Sequence, residues 1–152
     1  MLNNLQNYIT FLSKFLTKTF FLLLISTVLL QVFSRFFLVQ APSWTEELSR
    51  VFFIYSVSFS CGLGVLKNSY ISINLVIKKF SIQKQFLIQK FIQFSIIAFM
   101  VLIQFQSIKF LQIGSLQTSP SLGINMFWFY FPIFIIPSSI MCFCIFQFYK
   151  KT

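Results

Sequence analysis

Four apolar stretches, each close to twenty residues long, constrain this sequence more than any other feature. They cover approximately residues 17–39, 44–66, 91–113 and 127–147. A membrane-spanning helix needs about 20 predominantly apolar residues, and a chain of 152 residues has room for four such helices and their connections. The sequence therefore predicts an all-α integral membrane protein with four transmembrane helices, which form a single domain over residues 1–152.

Charged residues are too few to cover the surface of a soluble domain. They make up 9% of the chain, against 57% hydrophobic residues, whereas soluble domains carry roughly 25% charged residues. There is no His, and the only acidic residues are the neighbours Glu46 and Glu47. Because proton transfer and metal binding need convergent His, Asp, Glu or Cys groups, we expect no catalytic residue, no metal site and no cofactor.

The basic residues divide unevenly between the two ends of the predicted helices. Three lie at or near one end: Arg35, Arg50 and Lys109. The other nine lie at the opposite end: Lys14, Lys18, Lys67, Lys78, Lys79, Lys84, Lys90, Lys150 and Lys151. Because cytoplasmic segments of membrane proteins carry the excess of Lys and Arg, we expect both termini in the cytoplasm. Topology then explains the net charge of +10, and no nucleic-acid partner is expected.

The polar motif SWTEELSR precedes the second apolar stretch. Ser43 and Glu46 have the spacing of a capping box, which predicts a helix start. Arg50 follows Glu46 by four residues and Glu47 by three, so it shares a helical face with them. Two interpretations remain open. In one, both carboxylates form an ionic cluster with Arg35 and Arg50 that joins the second helix to the first or to a partner; in the other, the motif only caps the helix and pairs locally.

Small residues recur at helical spacing within the second apolar stretch. Ser56, Ser60 and Gly64 follow one another at intervals of four, and Ser58 and Gly62 do the same. Small residues at this interval let two membrane helices approach closely. We therefore expect a helix-packing face in this stretch that includes Ser56, Ser60, Gly62 and Gly64.

Residues 67–90 mix lysines with Ile, Leu, Phe and Gln. This mixture predicts a loop and a helix lying on the membrane surface. A stripe of polar residues, with Met100 among them, then continues along one face of the third helix: Gln85, Gln89, Gln93, Gln104 and Ser107. Either this stripe faces protein, or its first part belongs to a long helix that emerges into water.

Turn residues predict an outward-facing loop over residues 114–126, in which Ser119, Pro120 and Gly123 stand out. Trp128 begins the fourth apolar stretch and suits the aromatic belt at a membrane interface. Two prolines within that stretch, Pro132 and Pro137, are expected to kink its helix.

Several blocks together carry a family resemblance. They are Arg35, the segment 44–50 beginning at Trp44, Gly62 with Gly64, the segment 70–74 (YISIN), the segment 117–130 (QTSPSLGINMFWFY) and Pro137. In these blocks the chain resembles the small membrane subunit of tripartite ATP-independent periplasmic (TRAP) transporters, the DctQ-like small permeases. It departs from the family pattern at Tyr70, where His is usual, at Asn74, where Asp is usual, and at Asn125, where Pro is usual.

The resemblance implies a four-helix subunit in the bacterial inner membrane. Its expected partners are membrane lipid, a large DctM-like permease and a periplasmic DctP-like binding protein that delivers an organic acid. Transport in this family is secondary and usually sodium-driven, and the substrate and ion sites are placed in the large subunit. Sialic acids, C4-dicarboxylates and other carboxylates are the candidate cargoes. A different class of function also remains open, that of a stand-alone membrane anchoring or assembly factor with no part in transport.

Overall fold

The computed structural model describes residues 2–38, 42–66 and 82–150, and most of them are helical. The helices are α1 (Leu2–Phe37), α2 (Trp44–Leu66), α3 (Ile82–Ser115) and α4 (Phe127–Lys150). Each includes a segment long and apolar enough to cross a membrane: Leu5–Phe37, Trp44–Leu66, Leu87–Ser115 and Phe127–Phe146. The prediction of an all-α chain with four helices of membrane-spanning length is confirmed.

Two of the helices are longer than their apolar stretches predict. α1 has 36 residues and α3 has 34, which gives lengths of about 54 and 51 Å at 1.5 Å per residue, against a hydrocarbon thickness of about 30 Å. The additional turns lie at the N-terminal ends. In α3 they contain three Gln and two Lys, which are good helix formers, whereas in α1 they mix Asn with Leu, Ile and Phe. Residues 82–90 therefore belong to one continuous long helix; the part of the expected surface helix within 67–81 lies outside the described residues.

The helices pack in the order α1, α2, α4, α3, so that α2 and α4 form the centre of the molecule. α1 is antiparallel to α2, and α3 is antiparallel to α4. The two central helices run parallel, because contacts between them start near Trp128 and Pro132 and continue to Phe143 along both chains. The chain thus consists of two helical hairpins that meet through α2 and α4.

Among the described residues, only a small apolar core is buried. Val65 of α2 packs there with Phe143 and Cys144 of α4. Partly buried residues from all four helices surround them: Ile9, Leu63, Leu66, Ile96, Ile97, Ile140 and Phe146. Large apolar side chains cover most of the exposed surface of α1 and α3. Because water does not tolerate so continuous an apolar surface, lipid or partner helices must cover it.

Candidate functional site

α2 begins with a local cap that differs from the predicted one. Thr45 is fully buried and its Oγ1 donates a hydrogen bond to the Pro42 carbonyl oxygen at 2.7 Å. The amide of Glu46 donates to the Ser43 carbonyl oxygen at 3.3 Å. The Glu46 carboxylate does not turn back to Ser43, as a capping box requires. It points to α1, where charged and amide donors offer stronger hydrogen bonds.

Glu46 joins the start of α2 to the end of α1. Its Oε1 lies 3.0 Å from Arg35 Nη2 and accepts a second hydrogen bond from Gln31 Nε2 at 3.3 Å. Gln31 and Arg35 are four residues apart and therefore lie on the same face of α1. An exposed ion pair in water contributes little to stability, so the main consequence of this contact is geometric: it fixes where the second helix starts relative to the first.

Glu47 binds the loop between α3 and α4. Its carboxylate accepts hydrogen bonds from the Ser119 hydroxyl, from the Ser121 amide at 3.1 Å and from the Leu122 amide at 3.2 Å. These donors lie 72 to 75 residues further along the chain. Adjacent carboxylates thus reach in two directions, and we call Gln31, Arg35, Glu46, Glu47 and the loop segment 119–122 the glutamate clasp.

The loop that Glu47 holds has a compact fold of its own. Thr118 and Asn125 form an isolated antiparallel bridge, and inside it the Ser119 amide donates to the Ile124 carbonyl oxygen at 2.8 Å. Gly123 has a φ of +66°, a conformation that favours glycine, and its amide returns to the Ser119 carbonyl oxygen at 3.0 Å. Two of the predicted loop residues, Ser119 and Gly123, therefore shape this turn; Pro120 is exposed beside them.

Asn125 closes the loop onto both flanking helices. Its side-chain amide donates to the Ser115 carbonyl oxygen at 2.9 Å, and its Oδ1 accepts from the Phe127 amide at 2.8 Å. Asparagine is well suited to a helix start, because its side chain satisfies a backbone N–H that has no partner within the helix. At this position, where the family usually has Pro, the Asn125 side chain therefore caps the start of α4.

Two small residues allow α2 to approach α4 closely. Ser58 is fully buried, and its Oγ lies 3.2 Å from the Pro132 carbonyl oxygen. A Cβ atom built on Gly62 would lie 2.4 Å from Phe143 Cδ2 and 3.0 Å from the Ser139 carbonyl oxygen. Ser58 and Gly62 are therefore the small residues of the α2 face that contacts α4.

The other small residues of α2 lie elsewhere. Ser56 is buried, but Ser60 is exposed, and a Cβ atom built on Gly64 would meet nothing within 4 Å. Sequence spacing places Ser56, Ser60 and Gly64 in one series. In the structure Ser56 is buried, Ser60 is exposed and Gly64 is half-buried.

A proline in α4 is accommodated by a side chain of α2. Pro132 has no N–H, so the carbonyl oxygen of Trp128, four residues earlier, loses its helical donor. The Tyr55 hydroxyl donates to this oxygen at 2.9 Å. The same tyrosine ring stacks on Phe20 of α1 with a centroid distance of 5.0 Å. Tyr55 therefore contacts both neighbours of α2. This role was not predicted, although the spacing between Trp128 and Pro132 indicates a carbonyl oxygen without a helical donor.

The third helix is joined to the fourth by polar and close contacts. Gln104 Oε1 accepts a hydrogen bond from the Ser138 hydroxyl at 3.1 Å, and Ser107 is almost completely buried. A Cβ atom on Gly114 would lie 2.5 Å from the Tyr130 ring. The end of the predicted polar stripe at Gln104 and Ser107 thus faces protein.

Arg50 stands apart from the glutamate clasp. Its side chain is exposed, and the single ion pair in the described part of the chain is that between Arg35 and Glu46. The structure therefore differs from the expectation that Arg50 shares in an ionic cluster or pairs locally at i,i+4, because both carboxylates point to other donors.

The cysteines do not form a cluster with the two acidic residues. Cys144 is buried, Cys61 and Cys142 are half-buried, and all three thiols are free. Among residues 2–38, 42–66 and 82–150, no three His, Cys, Asp or Glu side chains form a group that could hold a metal ion. The contacts described above bind parts of the chain to one another and fix a loop at one end.

Four apolar helices, cross-linked by hydrogen bonds and fastened at one end by the glutamate clasp, define a multi-pass helical membrane protein. A family model described as "Tripartite ATP-independent periplasmic transporters, DctQ component" matches residues 7–152. The chain belongs to this family, the small permease component of TRAP transporters. A search of curated proteins found no match. The recognition made from the sequence blocks is thereby confirmed, and family membership implies association with TRAP partners such as the large permease and the binding protein.

Proposed function

We propose that this chain supports a large permease subunit in sodium-driven uptake of an organic acid, and that it does so in the bacterial inner membrane. A periplasmic binding protein delivers the acid, with sialic acids, C4-dicarboxylates and other carboxylates as the candidate cargoes. The family match over residues 7–152 is the observation that carries this proposal.

The placement of the acidic residues supports a scaffolding role within such a transporter. A coupling-ion site near the middle of the membrane is typically built from interrupted helices and polar groups. In this chain the only two carboxylates, Glu46 and Glu47, lie in the first turn of α2 and are both bound to other parts of the chain. We therefore assign the substrate and ion sites to the large subunit and the holding of a fixed shape to this one.

Reconstitution into lipid vesicles tests the proposal directly. The large subunit is reconstituted with and without this chain, and uptake of radiolabelled sialic acid or a C4-dicarboxylate is measured with the binding protein outside and an inward sodium gradient. Uptake should require both membrane subunits and should stop when potassium replaces sodium. Unchanged uptake without this chain would contradict the scaffolding role, and a chain that purifies without any large permease would favour the stand-alone anchoring factor.

The expected orientation has a separate test. In a background without native cysteines, a cysteine at position 121 should react with a membrane-impermeant maleimide added to the periplasmic side, whereas one at position 14 should not. Both Ser121 and Lys14 have exposed side chains, so access to the reagent depends on the compartment. The bond from the Ser121 amide to Glu47 survives the substitution because it uses the backbone. Labelling at both positions would refute the orientation.

A further inference from the structure

The end of the molecule opposite to the glutamate clasp carries positive charge that no acidic side chain balances. Four exposed lysines of the described residues lie there, and we call them the lysine belt: Lys14 and Lys18 on α1, and Lys84 and Lys90 on α3. The sequence prediction assigns five further lysines, at positions 67, 78, 79, 150 and 151, to the same end, but their side chains lie outside the described residues. The only acidic residues of the chain, Glu46 and Glu47, are bound within the clasp. No acidic side chain of this protein is therefore available to neutralise the lysine belt.

The lysine belt lies about one bilayer thickness away from the glutamate clasp. Arg35 in the last turn of α1 and Ser115 at the end of α3 mark the clasp end of the two outer helices. Lys14 precedes Arg35 by 21 residues, which is about 32 Å along α1. Lys90 precedes Ser115 by 25 residues, which is about 38 Å along α3. Because the hydrocarbon core is about 30 Å thick and the whole bilayer about 40–45 Å, both lysines reach the layer of lipid headgroups opposite to the clasp.

Large apolar side chains lie next to the lysines, one helical turn closer to the middle of the membrane. Leu22 follows Lys18 by four residues and is 64% exposed, and Phe94 follows Lys90 by four residues and is 71% exposed. Residues four apart are neighbours on a helix surface, and the long stem of lysine carries its ammonium group outward over apolar surface. On both helices a cation at headgroup depth therefore stands beside an apolar contact for acyl chains, which is the combination that a phospholipid needs.

The two halves of the lysine belt point away from each other. α1 and α3 are the outer helices of the row α1, α2, α4, α3. Lys18 lies about 160° around α1 from Phe20, which stacks on α2, at 100° per residue. Lys84 likewise lies about 160° around α3 from Gln104, which is hydrogen-bonded to α4. A protein partner that packs against one side of the row leaves the lysines at its other end uncovered, whereas lipid headgroups surround the row on every side.

We propose that the lysine belt binds anionic phospholipids, with the lysine ammonium groups on the headgroup phosphates and the neighbouring apolar side chains against the acyl chains. Each Lys near an anionic membrane surface strengthens the attraction about fivefold, so the nine lysines of this end together give a strong preference for anionic over zwitterionic lipid. The positive-inside rule accounts for the side on which the lysines lie, and lipid binding accounts for what neutralises them. The proposal goes beyond the proposed function, since it depends on neither cargo nor coupling ion.

Electron paramagnetic resonance of spin-labelled lipids tests the lysine belt. The full chain is reconstituted in phosphatidylcholine vesicles, and the fraction of spin-labelled phosphatidylglycerol that it immobilises is compared with that of spin-labelled phosphatidylcholine. The wild-type chain should prefer phosphatidylglycerol, and salt should weaken the preference. The double variants Lys14→Gln with Lys18→Gln, and Lys84→Gln with Lys90→Gln, should each lower the preference about fivefold or more. The same pairs changed to Arg should keep it, and circular dichroism verifies that each variant is helical.

A matched control comes from the exposed cations near the clasp, Arg50 and Lys109. Arg50→Gln with Lys109→Gln should lower the preference less, because two carboxylates share that end of the chain.

Four results would overturn the proposal and leave the proposed function standing. The first is a wild-type chain without preference for phosphatidylglycerol, and the second is an equal loss in the control and in both Gln pairs. The third is a larger loss in sodium phosphate than in sodium chloride of equal ionic strength, which would assign the lysines to free phosphate. The fourth concerns the assembled transporter, in which the difference between the wild type and the Gln pairs should persist; its disappearance would assign the lysines to a protein partner. Loss of the preference in the Arg pairs would show that charge is not its basis and would also overturn the proposal.

Discussion

Gly62 provides the strongest test of how the two hairpins are held together. Replacement by Ala adds a Cβ atom 2.4 Å from Phe143 Cδ2 and 3.0 Å from the Ser139 carbonyl oxygen, whereas carbon atoms in favourable contact lie about 3.5–4.0 Å apart. Phe143 is 1% exposed and has little space into which to move. The substitution must therefore displace the ring or separate α2 from α4.

Gly64 serves as the control for the stability cost of Gly62→Ala, because it lies on the same helix and a Cβ atom built on it meets nothing within 4 Å. Both Gly→Ala changes gain about 1 kcal/mol of helix propensity, and this gain cancels when the two variants are compared. Overpacking of a tight contact costs about 1–3 kcal/mol. The free energy of unfolding of Gly62→Ala should therefore lie about 1–3 kcal/mol below that of Gly64→Ala, a ratio of about 5 to 150 in the unfolding equilibrium constant.

The measurement is reversible unfolding in mixed micelles, in which the SDS fraction is raised and the fluorescence of Trp44 and Trp128 reports loss of structure. Phe143→Leu introduced together with Gly62→Ala should recover part of the lost stability, because it shortens the side chain that the new Cβ meets. Identical unfolding curves for Gly62→Ala and Gly64→Ala would refute the close packing of α2 on α4.

Two further outcomes follow from the polar contacts. Glu47→Gln should speed hydrogen exchange at the Leu122 amide at least tenfold, because one of the two carboxylate oxygens that accept loop donors is replaced by an NH₂ group. Tyr55→Phe should lower the free energy of unfolding by about 0.6 kcal/mol, the average for a hydrogen bond between membrane helices. The same change should have less effect after Pro132→Ala, since the new amide then supplies a donor to the carbonyl of Trp128.

Each of these outcomes has a control within the chain. Exchange at the Gly123 amide, which donates to the Ser119 carbonyl oxygen at 3.0 Å, should change less than exchange at Leu122, since its acceptor belongs to the loop itself. Uniform acceleration across the loop would show that Glu47 stabilises the loop fold as a whole. For Tyr55, an equal cost in the presence and absence of Pro132 would contradict its role in satisfying the open carbonyl.

The membrane-spanning parts of the helices could be predicted from the sequence, because hydropathy reflects burial in lipid. α2 spans Trp44–Leu66, as the apolar pattern predicts, because a polar motif and Pro42 mark its start. α1 and α3 begin well before their predicted spans, at Leu2 and Ile82. Hydropathy marks where a chain can lie in hydrocarbon. In α3, Lys and Gln extend the helix beyond that boundary because they are good helix formers, whereas the candidate membrane span of α1 itself begins as early as Leu5.

The residue types of the candidate site could be predicted from the sequence, but not which of these residues contact one another. Local spacing placed Ser43 and Arg50 with the glutamates, whereas the strongest donors come from α1 and from the distant loop. The expected topology puts the motif around Glu47 and the loop around Ser119 at the same end of the molecule, and this was the available signal for their contact. Intervals of four residues could not show which small residues of α2 face α4, because Ser58 and Ser60 each belong to a series with that interval.

The parallel course of α2 and α4 has a consequence for biogenesis. Each hairpin, α1 with α2 and α3 with α4, can enter the bilayer as an antiparallel pair before it meets the other, so the last folding step is a lateral docking of two preinserted halves. The link between Leu66 and Ile82 need not survive that step. Two separately translated polypeptides, divided within residues 67–81, should therefore reassemble into one functional unit when made in the same cell.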